Sequence, residues 1–219
     1  RMVSGINGLT MHVLEAGEVG RPVLLLLHGF PELAFSWRRV MVPLAEAGFH
    51  VIAPDQRGYG RTIGWPDAYD TDLRTFSMLN LVRDQLALLK KLGVPAVHAV
   101  IGHDFGSPVA AHCALVRPAV FRRVALMSAP FAGPPALGSS DRTPAADIAQ
   151  ALAALERPRK HYHWYYATRP ANGEMIAPPQ GLHAFLRAYY HHKSGDWAGN
   201  DVFPLKGWTA EELAKLPTY

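Results

Sequence analysis

Long hydrophobic runs are missing from this chain. The longest unbroken aliphatic stretch, Val23–Leu27, is a fraction of the roughly 20 apolar residues a helix needs to cross a bilayer, so no membrane span is expected. Cysteine is almost absent. The single Cys113 excludes an intrachain disulfide and fits a reducing, cytoplasmic setting. Its place in an apolar helical stretch predicts a buried structural thiol. Lysine and arginine form no cluster of the kind that tracks a phosphate backbone, and the net charge is only +4, so nucleic acid is excluded as a partner. Gly-x-Ser-x-Gly does not occur, which removes a serine elbow as the source of a nucleophile. None of the 11 histidines combines with Asp or Glu in a ligand spacing, so no metal is expected. His161, His163, His183, His191 and His192 are read as surface or packing residues. Arg1-Met2 opens no charged-then-apolar leader, so no export signal is read, and a start on Arg suggests a cut terminus.

What is present describes a globular protein. Hydrophobic residues make up 49% and charged residues 18% of 219 positions, enough for one substantial core, with or without a smaller lobe. Short apolar runs alternate with helical periodicity. Strands are predicted at Met11–Glu15, Val23–Leu27, His50–Ala53, Val97–Ile101 and Arg123–Met127. Helices are predicted at Ser36–Ala47, opened by a serine cap, at Met78–Leu92 and at Pro108–Val116. This order implies an α/β fold, a doubly wound and mainly parallel sheet with right-handed crossovers. Ligands of such sheets bind beyond the carboxyl ends of the strands, where Phe30, Arg57 and Asp104 fall.

After Ala129 the texture changes. Pro130–Pro144 reads as a Pro-, Gly-, Ala- and Ser-rich linker. Beyond it the signals are helical and crowded with aromatics: Ala145–Leu155, Arg159–Thr168, Gly181–Lys193 and Thr209–Leu216. The chain is therefore divided into residues 1–130, a core, and residues 131–219, a linker with a helical lobe.

Three motifs carry chemistry. Gly102-His103-Asp104-Phe105-Gly106 follows an apolar strand and opens a helix, the strand-turn-helix arrangement that presents a nucleophile, with a carboxylate at its centre. A carboxylate of ordinary pKa near 4 is ionised at neutral pH and attacks without a base to deprotonate it. Attack on an electrophilic carbon leaves an enzyme-bound ester for water to hydrolyse. Gly102 and Gly106 keep side chains away from this tight turn. His103 is read as a structural hydrogen-bonding residue. His28-Gly29-Phe30-Pro31-Glu32 leaves the buried strand abruptly. The amides of Phe30 and Phe105 are the expected donors to the oxyanion formed when water attacks the ester, and Phe30-Pro31 is a candidate cis bond. Asp55-Gln56-Arg57-Gly58-Tyr59-Gly60 ends its strand in a loop that an Asp55–Arg57 pair is expected to stiffen.

Together His28–Glu32, Asp55–Gly60 and Gly102–Gly106 resemble the α/β-hydrolase superfamily, and within it the epoxide hydrolase-like branch. The resemblance covers nearly the whole chain and implies an α/β-hydrolase fold, with a helical cap after Pro144. It implies a small apolar epoxide and water as substrates, opened without any cofactor. Asp104 matches the family's nucleophile. The branch usually carries Trp after it, where this chain has Phe105; the amide donor is kept and the indole donor lost. The family's cap tyrosines protonate the leaving alkoxide, and Tyr162 matches the first of them, with Tyr165 as the fallback; a phenol of pKa near 10 can do so. Pro31, Trp164 and Tyr165 are the expected substrate contacts, and His28, Gly29, His103, Gly102, Gly106, Asp55 and Arg57 the structural residues around the site.

The family's second step uses a histidine base placed after the cap, and no histidine here matches it. The chain is therefore expected to be a truncated part of a longer hydrolase, able to alkylate itself once but not to turn over. Two other readings remain open. A haloalkane or haloacid dehalogenase would use the same Asp104, although Phe30 and Phe105 depart from the residues those enzymes place there. A non-catalytic binding protein on the same fold would need no base.

Overall fold

All five residues of Val23–Leu27 are buried, and they form the central strand β3 of a six-stranded sheet. The computed structural model describes residues 1–129, 131, 133, 145–199 and 203–216. The chain divides into two compact units, residues 1–134 and 135–219.

In the first unit the strands are β1 (Met2–Ile6), β2 (Leu9–Ala16), β3, β4 (His50–Pro54), β5 (Ala99–His103) and β6 (Val124–Met127), in the spatial order β1-β2-β4-β3-β5-β6. Strands β4, β3, β5 and β6 run parallel, while β1 and β2 pair antiparallel with each other and β2 with β4. Side chains alternate across a strand, so β3 serves two cores. Val23, Leu25 and Leu27 meet residues of α2 (Met78–Lys91) and α3 (Gly106–Val116), among them Leu81, Leu88 and Val109. Leu24 and Leu26 meet Ala34, Trp37 and Met41, the last on α1 (Arg38–Glu46). Helices thus cover both faces, as expected of a doubly wound, mainly parallel sheet.

Several boundaries differ from expectation. Strand β1 was not anticipated: Gly5 at φ 78° sits at a register shift between Ser4 and Ile6, and this breaks the alternation that marks a strand. Strand β5 begins two residues later than Val97, which makes only an isolated bridge to Phe121. Ser36 is not a cap. It lies within a 3-10 turn, Ala34–Trp37, and α1 follows with Trp37 at its N-cap and no side-chain hydrogen bond. Strand β6 is the outermost strand of the described sheet, and its four residues are exposed.

The second unit holds α4 (Ala145–Ala153), α5 (Tyr162–Tyr165), α6 (Ala171–Ile176), α7 (Leu182–His191) and α8 (Ala210–Leu213). Ile148, Leu152, Ala210 and Leu213 form its small core, against which Trp164 packs. The helix expected over Arg159–Thr168 shrinks to the single turn of α5, and α6 was not foreseen. The expected linker falls mostly outside the described residues, as does Tyr219. Among the described residues, no helix is long and apolar enough to cross a membrane.

Candidate active site

Asp104 stands at the end of β5 with φ +50°, a left-handed conformation that Asp tolerates better than most residues, at a cost of roughly 1–3 kcal/mol. The turn is held by close backbone packing. Asp104 donates its amide to Met127 O at 3.0 Å, and Ser107 N–H donates to Asp104 O at 3.0 Å. A Cβ on Gly102 would lie 2.1 Å from Gly106 O, and one on Gly106 would lie 2.2 Å from Leu27 O. Neither position admits a side chain, as the sequence suggested. Buried Ser107 adds a clamp: its hydroxyl lies 2.8 Å from Gly102 O and 2.9 Å from Met127 O, and it accepts from Met127 N at 3.1 Å.

The loop after β3 closes over this turn. Phe30-Pro31 is cis, and the Phe30 amide donates to Asp104 Oδ1 at 2.8 Å. Gly29 makes the approach possible, because a Cβ there would sit 2.3 Å from Asp104 Cβ. Pro31 and Asp104 are both half-buried. His103 Nδ1 lies 2.9 Å from Glu32 Oε2, a second tie between the elbow and this loop. Phe105 occupies the N-cap of α3, a position whose amide has no acceptor within its own helix. Among the described residues no group of His, Cys, Asp and Glu is arranged to hold a metal ion.

Asp55 and Arg57 do stiffen the neighbouring loop, but not by pairing with each other. Asp55 Oδ1 accepts from Ala34 N at 2.9 Å; its Oδ2 accepts from Arg61 N at 3.0 Å and lies 2.8 Å from His12 Nδ1. Arg57 turns away to the fully buried Asp84 of α2, donating Nε to Oδ2 at 2.8 Å and Nη2 to Oδ1 at 2.7 Å. A buried guanidinium is satisfied by a two-pronged carboxylate, which Asp84 provides, while both oxygens of Asp55 are already taken by Ala34 N, Arg61 N and His12. Asn7, at φ 49°, completes the cluster with its carbonyl accepting from Arg57 at 3.1 Å and its side chain donating to Asp84 at 2.7 Å. Asp84 was detectable as the one acid on the apolar face of α2; Asn7 left no signal.

Tyr59 is a site residue that sequence reasoning passed over. Its ring meets His28 edge-on at 4.9 Å. Burial, with the Asp104 charge as a lesser cause, pushes its phenol up to about 12. That charge reaches it because the two loops converge, which no sequence spacing reveals.

The aromatic run lies in the second unit. Tyr162 stacks on His161 at 4.9 Å and lies under the Lys193 ammonium at 5.4 Å. It lines a cavity of about 740 Å³ together with Tyr165, Tyr166 and Phe185. Tyr165 donates its hydroxyl to Glu174, and that carboxylate, with burial, pushes its phenol up to about 12. Trp164 faces the small core of this unit, tilted against His161 at 5.0 Å.

A model of the alpha/beta hydrolase fold family matches residues 22–160. The chain belongs to that family. Epoxide hydrolase A of Mycobacterium tuberculosis is 44% identical over 125 residues, 57% of this chain and 37% of that protein. The epoxide hydrolase of Caballeronia sordidicola is 39% identical over 125 residues, 57% of this chain and 36% of that protein. The solved structure of potato (Solanum tuberosum) epoxide hydrolase I matches with a TM-score of 0.69 at 33% identity, over 100% of this chain and 62% of that one. The chain spans a little over a third of the length of these curated relatives. Within the α/β-hydrolase family its likeness is to the epoxide hydrolase-like branch.

Proposed function

We propose that the protein is a hydrolase that opens epoxides through a covalent ester on Asp104. The observation carrying this reading is the bond from Phe30 N–H to Asp104 Oδ1 at 2.8 Å, on a carboxylate raised at a left-handed strand-to-helix turn. It makes the two carboxylate oxygens unequal. Oδ2 attacks a ring carbon, a C–O bond forms, and the ring C–O bond breaks. Oδ1 is left as the ester carbonyl, already holding an amide donor. When water adds to Cγ, giving its proton to the histidine base that the family reading calls for and no histidine of this chain matches, the negative charge develops on Oδ1, where the Phe30 amide, joined by that of Phe105, stabilises it. Collapse of that intermediate releases the diol and restores the carboxylate.

In this reading residues 131–219 are linker and cap, and Tyr162 gives its phenolic proton to the leaving alkoxide. Pro31, Trp164 and Tyr165 are substrate contacts. His28, Gly29, Gly102, His103, Gly106, Asp55 and Arg57 hold the machinery in place. The substrate is a small apolar epoxide, with water as co-substrate and no cofactor, in the cytoplasm. The similarity to several epoxide hydrolases supports the choice of electrophile.

A single turnover in ¹⁸O-water tests the covalent step with the whole protein. Label is expected in the Asp104 side chain and not in the first diol released. Label in that first diol would mean direct attack by water and would end this reading. Asp104→Asn should reduce epoxide hydrolysis on the order of 10⁴-fold or more, with the fold retained.

A further inference from the structure

We propose that His28 is a positioning residue whose neutral imidazole turns the Gly29–Phe30 peptide so that its N–H is aimed at Asp104. This rests on the reading of the Phe30 amide as the oxyanion donor.

His28 is fully buried at the end of β3. The backbone N–H of Gln56 lies 3.0 Å from its Nε2. A main-chain N–H can only donate, so Nε2 accepts and carries no proton. The ring proton is therefore on Nδ1, which lies 2.9 Å from the carbonyl oxygen of Gly29 and donates to it. That carbonyl also accepts from Glu32 N–H at 3.1 Å. In a trans peptide the carbonyl and the following N–H point in opposite directions. Two donors holding the Gly29 carbonyl on one side thus present the Phe30 N–H on the other, where Asp104 Oδ1 receives it at 2.8 Å.

The residue has two further contacts. Gln56 Nε2 donates to the His28 carbonyl at 2.6 Å, and the Tyr59 ring closes on it edge-on. Burial keeps the ring below its ordinary value of 6.5, outweighing the opposing effects of the Gly29 acceptor and the Asp55 and Glu32 charges. An imidazolium would set N–H against the Gln56 N–H. The other tautomer would do the same and would also turn a lone pair toward the Gly29 carbonyl. Only the Nδ1–H form satisfies both neighbours.

The test uses the whole protein. Nitrogen-15 NMR of the histidines at neutral pH should find His28 as the Nδ1–H tautomer; the Nε2–H tautomer or an imidazolium would overturn the proposal, and this readout needs no variant. Rapid-quench kinetics on an epoxide then compare the two steps in His28→Phe, which keeps a ring against Tyr59 and loses both nitrogens. Hydrolysis of the Asp104 ester should slow about tenfold to a hundredfold per folded molecule, with alkylation affected less, so that trapped ester accumulates. A role confined to folding would lower both steps together, in proportion to the folded fraction. Ester hydrolysis at the wild-type rate in folded His28→Phe, beside an inactive Asp104→Asn, overturns this inference alone. An active Asp104→Asn overturns the parent reading and this inference with it.

Discussion

The Phe30 amide donates to Oδ1 of Asp104 at 2.8 Å, joining residues 74 positions apart in the chain. The bond exists because glycine precedes Phe30 and leaves room for the carboxylate to approach. Gly29→Ala would place a methyl 2.3 Å from Asp104 Cβ and 2.6 Å from its Oδ1. Crowding of this kind costs about 1–3 kcal/mol and displaces one loop from the other. Epoxide turnover by the whole protein should fall by at least about tenfold, with a lowered urea midpoint. Gly173→Ala, in α6 with nothing within 4 Å, serves as the contrast and should raise stability by about 0.5–1 kcal/mol. Unchanged turnover in Gly29→Ala would contradict the close approach.

The Arg57–Asp84 pair is buried on both sides, so removing one partner strands the other. Asp84→Ala should destabilise the protein by about 3–5 kcal/mol in urea denaturation, because the buried guanidinium loses both bonds to its carboxylate. Replacing both, as Arg57→Met with Asp84→Leu, should recover most of that loss. A loss below about 1 kcal/mol for Asp84→Ala would show that the pair is not buried as described.

Stability should fall as pH drops through the ordinary histidine range. His28 is held below its value of 6.5 by burial, so the unfolded chain takes up a proton there before the native state does. Where the unfolded state binds more protons, stability rises with pH. The contribution is therefore complete above about 6.5 and declines below it. Urea midpoints measured at pH 7.5 and 5.5 should show the decline, and His28→Phe should show less of it. Equal slopes for the two proteins would assign the decline to other groups.

Cys113 is fully buried in α3, and burial pushes its thiol up to about 12. The thiolate is the reactive form, so alkylation by iodoacetamide at pH 8 should be negligible in the native protein and rapid in denaturant. Fast native labelling would place the thiol at the surface.

Residue pattern was most informative where one requirement acts on many neighbouring positions. Val23–Leu27 must be apolar throughout because both faces of β3 are covered, and its bounds were legible to the residue. Met78–Leu92 was legible for the same reason, since one helical face repeats its burial. Gly102 and Gly106 were legible because only glycine permits the close approaches found there, whereas the close approach at Gly29 emerged only from the structure. Short elements read poorly: α5 is one turn, and the aromatic periodicity around it promised a longer helix.

The chain by itself determined the α/β order, the acidic elbow at Asp104 and the loop at Phe30, because each is a local run whose residue types answer local geometry. Only the tertiary structure decided which partners those groups have. Arg57 chose Asp84 over its neighbour Asp55, Asp55 took His12 and two backbone amides, and Tyr59 came within reach of the Asp104 charge. Such choices follow from satisfying buried charges and amides across distant segments, and a linear sequence carries no record of which buried group faces which.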